Sequence, residues 1–299
     1  ILAMVAYHLC WDLDFLGFAR FGLLEQPAWL AARAAILSAF LLLAGAGLVL
    51  GHGRGVEGRR FLRRLGVLVA AAAAVSAVSW IGFPESPIFF GVLHHIALAS
   101  VLGLAFVRLP AAVTAGLGIA VLALPWAVGP VPLFDAPALR WIGLMSFEPS
   151  SNDYVPLVPW FGVVLLGVAL GRLWRRRPPA ARWRPGAVAG TLVRAGRHSL
   201  AIYLVHQPVL FGTLWLAAAL AGVGSGPMER EAGAFVASCR ESCAAGGGTA
   251  PACDAYCACV AGDLRRAGLW AEVLDGRLEP KRRELVDTVV EACAAAEPP

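Results

Sequence analysis

The sequence predicts an all-α, polytopic transmembrane helical bundle of about seven helices with a small disulfide-linked helical C-terminal extension. Three observations predict it. Hydrophobic residues make up 59% of the 299 positions and charged residues only 15%, against about 45–50% and about 25% in a soluble domain. Apolar runs of membrane-crossing length recur along residues 1–221, and a spanning helix needs about 20 such residues. Beyond them hydrophobicity falls, and six of the seven cysteines cluster there. The net charge of +5 is no argument for nucleic acid, because arginines beside membrane helices record orientation.

The runs follow in order. The first extends from Ile1 to about Phe18. It opens inside an apolar stretch without an initiator Met, so the chain is expected to continue upstream, and no signal-like segment is visible. Next come about Trp29–Leu50, Leu65–Ile81, Ile88–Val107, Ala111–Val128, Val155–Leu173 and Ser199–Ala221. The third is alanine-rich (VAAAAAVSAVS), which suits close helix–helix approach better than lipid contact. No period-two alternation competes with a helical reading.

Charge gives the orientation. The loop after the second run carries Arg54, Arg59, Arg60, Arg63 and Arg64, and the stretch Arg172–Arg197 carries eight more arginines, including Arg175, Arg176 and Arg177. The opposite loops hold Arg20 and Arg140 against Asp14, Glu25, Glu85, Asp135, Glu148 and Asp153. With seven spans both rich loops fall on one face, which the positive-inside rule assigns to the cytoplasm. The expected setting is a bacterial inner membrane, with the bundle at residues 1–221 and a tail at 222–299 in the periplasm.

The tail bears on the same question. Disulfides persist in oxidising compartments such as the periplasm. Cys239/Cys243 and Cys253/Cys257 are each spaced i, i+4, one helix face apiece, with the turn AAGGGTAPA between them. Antiparallel helices would then bridge Cys239–Cys257 and Cys243–Cys253, leaving Cys259–Cys293. Six cysteines allow 15 pairings, so this is a geometric preference. The competing reading is a cytosolic zinc site, which more often shows tight C-x2-C pairs; no metal is expected.

Ionisable residues inside membrane spans are costly and therefore functional candidates. The first run holds His8 and Asp12 at i, i+4 in YHLCWDLDF, where a carboxylate can orient an imidazole. The fourth holds His94 and His95, which face about 100° apart, so one is expected to reach the interior and the other to bond a neighbouring helix or backbone. The last run carries Tyr203 and His206 on one face just before Pro208, which removes a helix hydrogen bond. Asn152, Asp153 and Tyr154 stand before the sixth run, at the outer mouth. His8, Asp12, His95 and His206 are the catalytic candidates. His94, Asn152, Asp153, Tyr154 and Tyr203 are the substrate-binding ones.

The series YHLCWDLDFLG, FLLLAGAGLVL, FLRRL, FGVLHHIALAS, SNDYVPLVPWFG and GRHSLAIYLVHQP resembles the bacterial heparan-alpha-glucosaminide N-acetyltransferase catalytic-domain-like proteins, within the wider transmembrane acyltransferase superfamily. The resemblance covers about residues 1–215 and leaves the tail outside. It implies transfer of an acetyl group from cytoplasmic acetyl-CoA, as acyl donor, to a sugar or amino sugar across the membrane, with a histidine at the reacting centre. Matching YHLCWDL makes His8 that histidine. A histidine base can deprotonate a sugar hydroxyl or amine, or be transiently acylated. Arg63, Arg64 and Arg197 are candidates for the CoA phosphates, since arginine forks suit phosphate.

Two other classes compete. Membrane histidines and carboxylates also build proton relays, as in a proton-coupled transporter or permease, but no internal repeat of the transporter kind is visible. A membrane-anchored sensor or assembly protein working through its cysteine-rich tail is the third.

Overall fold

Small residues set where helices approach closely in a bilayer, because packing rather than hydrophobicity drives their association there. The computed structural model of the chain describes all residues except 20, 24–25, 53–54, 56, 85, 148, 176–185, 222–226, 275–277, 279 and 297–299. Of the residues that set the orientation above, Arg20, Glu25, Arg54, Glu85, Glu148, Arg176, Arg177, Arg182 and Arg184 lie outside the described residues, as does the expected tail boundary at 222.

The described residues form helices and no strand. They are α1 (Leu2–Phe15), α2 (Pro27–His52), α3 (Gly58–Gly82), α4 (Val92–Gly103), α5 (Ala111–Val128), α6 (Leu157–Arg175), α7 (Ala187–Arg197), α8 (Ser199–Ala221), α9 (Pro227–Ala245), α10 (Ala250–Arg266), α11 (Trp270–Leu274) and α12 (Pro280–Ala296). Five of them, α2, α3, α5, α6 and α8, are long and apolar enough to cross a membrane. Their outward faces carry apolar side chains such as Leu43, Val78, Ile81, Trp126 and Leu220, so the chain is a multi-pass membrane protein. Each expected span contains one helix. The basic stretch between α6 and α8 adds α7, which was not foreseen.

Two compact units emerge: Ile1–His8 with Gly22–Val209, and Leu9–Phe21 with Leu210–Pro299. In the first, α6 is the central helix, packed by α2 on one side and α5 on the other. A side chain at Gly45 would strike the Val164 carbonyl, one at Gly167 the Leu42 carbonyl, and one at Gly162 the Gly118 carbonyl. Around these contacts lie Leu41, Val163, Val164, Leu165 and Phe161. The closest approach is thus built from glycines on α2, α5 and α6. Of the alanines of α3, Ala71 and Ala72 are buried, packed in one cluster with Leu68 and with Leu93 and Ala97 of α4. Gly167→Leu is therefore expected to abolish the monodisperse fraction on detergent size exclusion. Overpacking alone costs about 1–3 kcal/mol, and a backbone carbonyl cannot rotate away. Gly47→Leu, at a position where an added Cβ would meet nothing within 4 Å, is expected to leave the yield unchanged.

The span expected at Ile88–Val107 is helical only over Val92–Gly103. The backbone from Ser86 to Gly91 is non-helical, and other elements satisfy its polar groups. Ser79 Oγ accepts the Ile88 N–H at 2.9 Å, and Ser76 Oγ donates to the Ile88 carbonyl at 2.6 Å. The Val155 N–H donates to the Phe90 carbonyl at 3.0 Å. Non-helical backbone is tolerated within a membrane protein where protein groups satisfy it in this way. At the other end of the bundle Arg172 Nη1 donates to the Val107 carbonyl at 2.6 Å.

The second unit is held by three disulfides. Cys239–Cys257 and Cys243–Cys253 join α9 to α10, and Cys259–Cys293 joins α10 to α12, the pairing that the i, i+4 spacing favours. Cys259, Asp263 and Cys293 do converge, but both sulfurs are bonded to each other, so this is not a metal site. A core of Val260, Ala261, Leu264, Leu269, Trp270 and Cys293 fills the space between these helices.

Candidate active site

Helix α1 carries Tyr7 and His8 on consecutive positions, so the two rings diverge. Tyr7 meets Trp29 of α2 edge-on at 5.9 Å, and His8 meets His206 of α8 edge-on at 5.0 Å. The two histidines stand 198 positions apart in sequence, and the fold sets them ring against ring within the first unit.

Local hydrogen bonding fixes what His206 can do. Its Nδ1 lies 2.7 Å from the Tyr203 carbonyl and 3.2 Å from that of Ile202. Carbonyls accept, so the proton sits on Nδ1 and the lone pair on Nε2. That Nε2 is buried and has no hydrogen-bond partner among the described residues. His95 repeats the arrangement. It is fully buried, its Nδ1 lies 3.2 Å from the Val155 carbonyl, and its Nε2 has no partner among the described residues. An imidazole anchored through Nδ1–H and open at Nε2 is set up to take a proton from a substrate.

His94 has the opposite character. The Gly91 N–H donates to its Nδ1 at 3.2 Å, so Nε2 carries the proton and donates to Ser76 Oγ at 3.2 Å. Both nitrogens are spent on clipping the start of α4 to α3. Asp153 serves the same helix start from the other side. Its Oδ2 accepts the Val92 N–H at 2.9 Å, where a helix N-terminus favours a carboxylate. Burial raises the Asp153 carboxyl above the ordinary range, against the opposing pull of that N–H and of Arg33. Asp153 is also within electrostatic reach of Tyr203, which packs against His206 at 5.9 Å.

Asn152 is exposed and its N–H donates to the Ser86 carbonyl at 3.1 Å. Tyr154 donates its hydroxyl to the Arg140 carbonyl at 2.6 Å and packs on Phe89, tying down the α5–α6 connection. Asp12, which belongs to the second unit, is fully buried and is not without a partner. Arg63 and Arg64 are exposed on α3, where Arg59, Arg60 and Arg63 line an open basic depression with Glu57. Arg197 is exposed at the end of α7.

The profile of the catalytic region of heparan-alpha-glucosaminide N-acetyltransferase matches residues 1–208. The chain belongs to that family. The matched segment holds both histidines of the pair, His94, His95 and Asp153. Membership in the heparan-alpha-glucosaminide N-acetyltransferase family makes the chain a membrane acyltransferase of the acetyltransferase class. Among curated proteins and among solved structures, none matches it.

Sequence reasoning passed over two residues that the fold brings to this site. Arg33 of α2 is within electrostatic reach of Tyr7, His8 and Asp153, and the Tyr7 hydroxyl is buried without a partner among the described residues. Arg33 had a legible signal, a lone charge in the apolar run AARAAILSAF. Tyr7 had none, since an aromatic residue in a span is ordinary.

Proposed function

We propose that the bundle transfers an acetyl group from acetyl-CoA to a sugar hydroxyl or amine, with the His8–His206 pair as the base. The observation that carries this is the ring contact at 5.0 Å between two histidines of the family-matched segment, one of them open at Nε2. The acceptor's N–H or O–H loses its proton to an imidazole as its lone pair bonds to the thioester carbon. The carbonyl π pair moves onto oxygen. Collapse re-forms the carbonyl and breaks the C–S bond, and the departing thiolate takes the proton back from the imidazolium. Tyr203 and Asp153 line the acceptor side, Asn152 stands at the mouth, and His94 and Tyr154 hold that frame in place. His95 offers a second open Nε2 on α4. Arg63, Arg64 and Arg197 meet the phosphates of CoA, and Asp12 supports α1. Direct transfer needs no covalent intermediate on histidine.

The test is turnover. The purified full chain in detergent, given labelled acetyl-CoA with a panel of amino and neutral sugars, is expected to release CoA and label at least one acceptor. Neither binding of acetyl-CoA nor CoA release with any acceptor would sink the proposal.

The same reading places the arginine-rich loops in the cytoplasm of a bacterial inner membrane and the tail in the periplasm. The three disulfides support the tail's side, because such bonds persist in oxidising compartments. A membrane-impermeant maleimide applied to intact cells is expected to label the tail only after reduction. Labelling confined to permeabilised cells would reverse the orientation.

A further inference from the structure

Arg33 is the one charged residue of the run Trp29–Leu50. Trp29, Arg33, Leu37 and Leu41 recur every fourth residue and so share one stripe of α2. Both ends of that stripe face inward. Leu41 is fully buried and Leu37 packs against its cluster, while Trp29 meets Tyr7. Arg33 between them is nevertheless exposed, and none of α2 before Leu41 is buried. Arg33 is thus an accessible cation on a stripe whose two ends are packed, within electrostatic reach of His8 and Tyr7. It has no carboxylate within ion-pair distance among the described residues. A charge without such a partner in a membrane span is costly to keep. The neighbouring Tyr7 hydroxyl is likewise a buried donor without a partner among the described residues.

We propose that Arg33 and the Tyr7 hydroxyl bind the carbonyl oxygen of the acyl donor and hold its charge during transfer. This rests on the acetyl-transfer reading above and adds the electrophilic half of the site. As the acceptor's lone pair bonds to the thioester carbon, the carbonyl π pair becomes an oxyanion. Two donors, one of them cationic, stabilise that oxygen more than the ground-state carbonyl, and only such a difference raises turnover. The base and the donors then stand on different helices, His206 on α8 against Arg33 on α2, with Tyr7 and His8 of α1 between them.

The experiment compares Arg33→Gln, Arg33→Lys and Tyr7→Phe with the unaltered full chain in detergent, using acetyl-CoA and an acceptor on which the unaltered chain turns over. Arg33→Gln is expected to lower kcat by about 10²–10³-fold, with both KM values within about threefold. Arg33→Lys, which keeps the charge, should recover about tenfold of that loss. Tyr7→Phe should cost about tenfold, and the double variant should lose less than the product of the single losses, since both donors serve one oxygen. An Arg33→Gln enzyme with unchanged kcat overturns the proposal, and so does one with raised KM alone, which would make Arg33 an acceptor anchor. If Arg33→Gln does not purify as a monodisperse species, the other two variants decide, and full kcat in both overturns it. No turnover by the unaltered chain removes the acetyl-transfer reading and this one together. Turnover that is indifferent to Arg33 and Tyr7 removes only this one.

Discussion

Alanine at His206 is expected to lower turnover by about 10²–10⁴-fold, the range of a lost general base, with the protein still eluting as one monodisperse species. The expectation comes from geometry. The Tyr203 carbonyl at 2.7 Å holds the Nδ1 proton, and Nε2 is left open beside His8 at a ring separation of 5.0 Å. His8→Ala is expected to fall in the same range. The double variant should lose little more than either single one, because residues acting as one unit are grossly non-additive. A second substitution separates chemistry from positioning. His206→Asn can still donate to the Tyr203 carbonyl but cannot take a proton at this position, so it should be as slow as alanine. Release of CoA at saturating acetyl-CoA and acceptor measures all four enzymes. An active His206→Asn would reduce His206 to a support for His8, and losses that multiply in the double variant would separate the two rings into independent roles.

The histidines were legible one at a time, because each is a polar residue in an apolar run. Their pairing was not, since nothing local links a residue on the first helix to one on the last. The same division runs through the α4 entrance. Adjacent His94 and His95 read as two rings facing apart, and the fold gives them different work: His94 is consumed by Gly91 and Ser76, while His95 keeps an open Nε2. What shortened α4 was invisible, because Ser76, Ser79 and Asp153 act on it from 12, 9 and 61 residues away. Arg33 escaped notice for another reason. Counting arginines by loop finds orientation and discards any arginine inside a span. The disulfide pairing was legible because it is nearly local, two i, i+4 pairs flanking one turn.

Removing the Cys259–Cys293 bridge is expected to be the most damaging change in the tail. It closes the longest loop, with a sequence separation of 34, against 18 and 10 for the other two. In the chain-entropy view a loop of that length is worth about 4 kcal/mol, and the shorter two about 3 kcal/mol each. It is also the bond that ties α12 to α10. Cys293 is fully buried in a core whose other members are few, Val260, Ala261, Leu264, Leu269 and Trp270. The ion pairs Arg240–Asp254 and Arg282–Glu272 are substantially exposed, and such pairs are worth about 0–1 kcal/mol, too little to compensate. The double substitution Cys259→Ala with Cys293→Ala avoids a lone thiol and a buried hydroxyl. Amide exchange along α12 and the second half of α10 should then accelerate by about a thousandfold, which is 4 kcal/mol at a factor of ten per 1.4 kcal/mol. The α9–α10 hairpin, still held by Cys239–Cys257 and Cys243–Cys253, should keep its protection near Cys253. Unchanged exchange on α12 would mean that Leu264, Leu269 and Trp270 hold the helix without the bond. Equal acceleration at Cys253 would mean that the tail opens as one cooperative body rather than helix by helix.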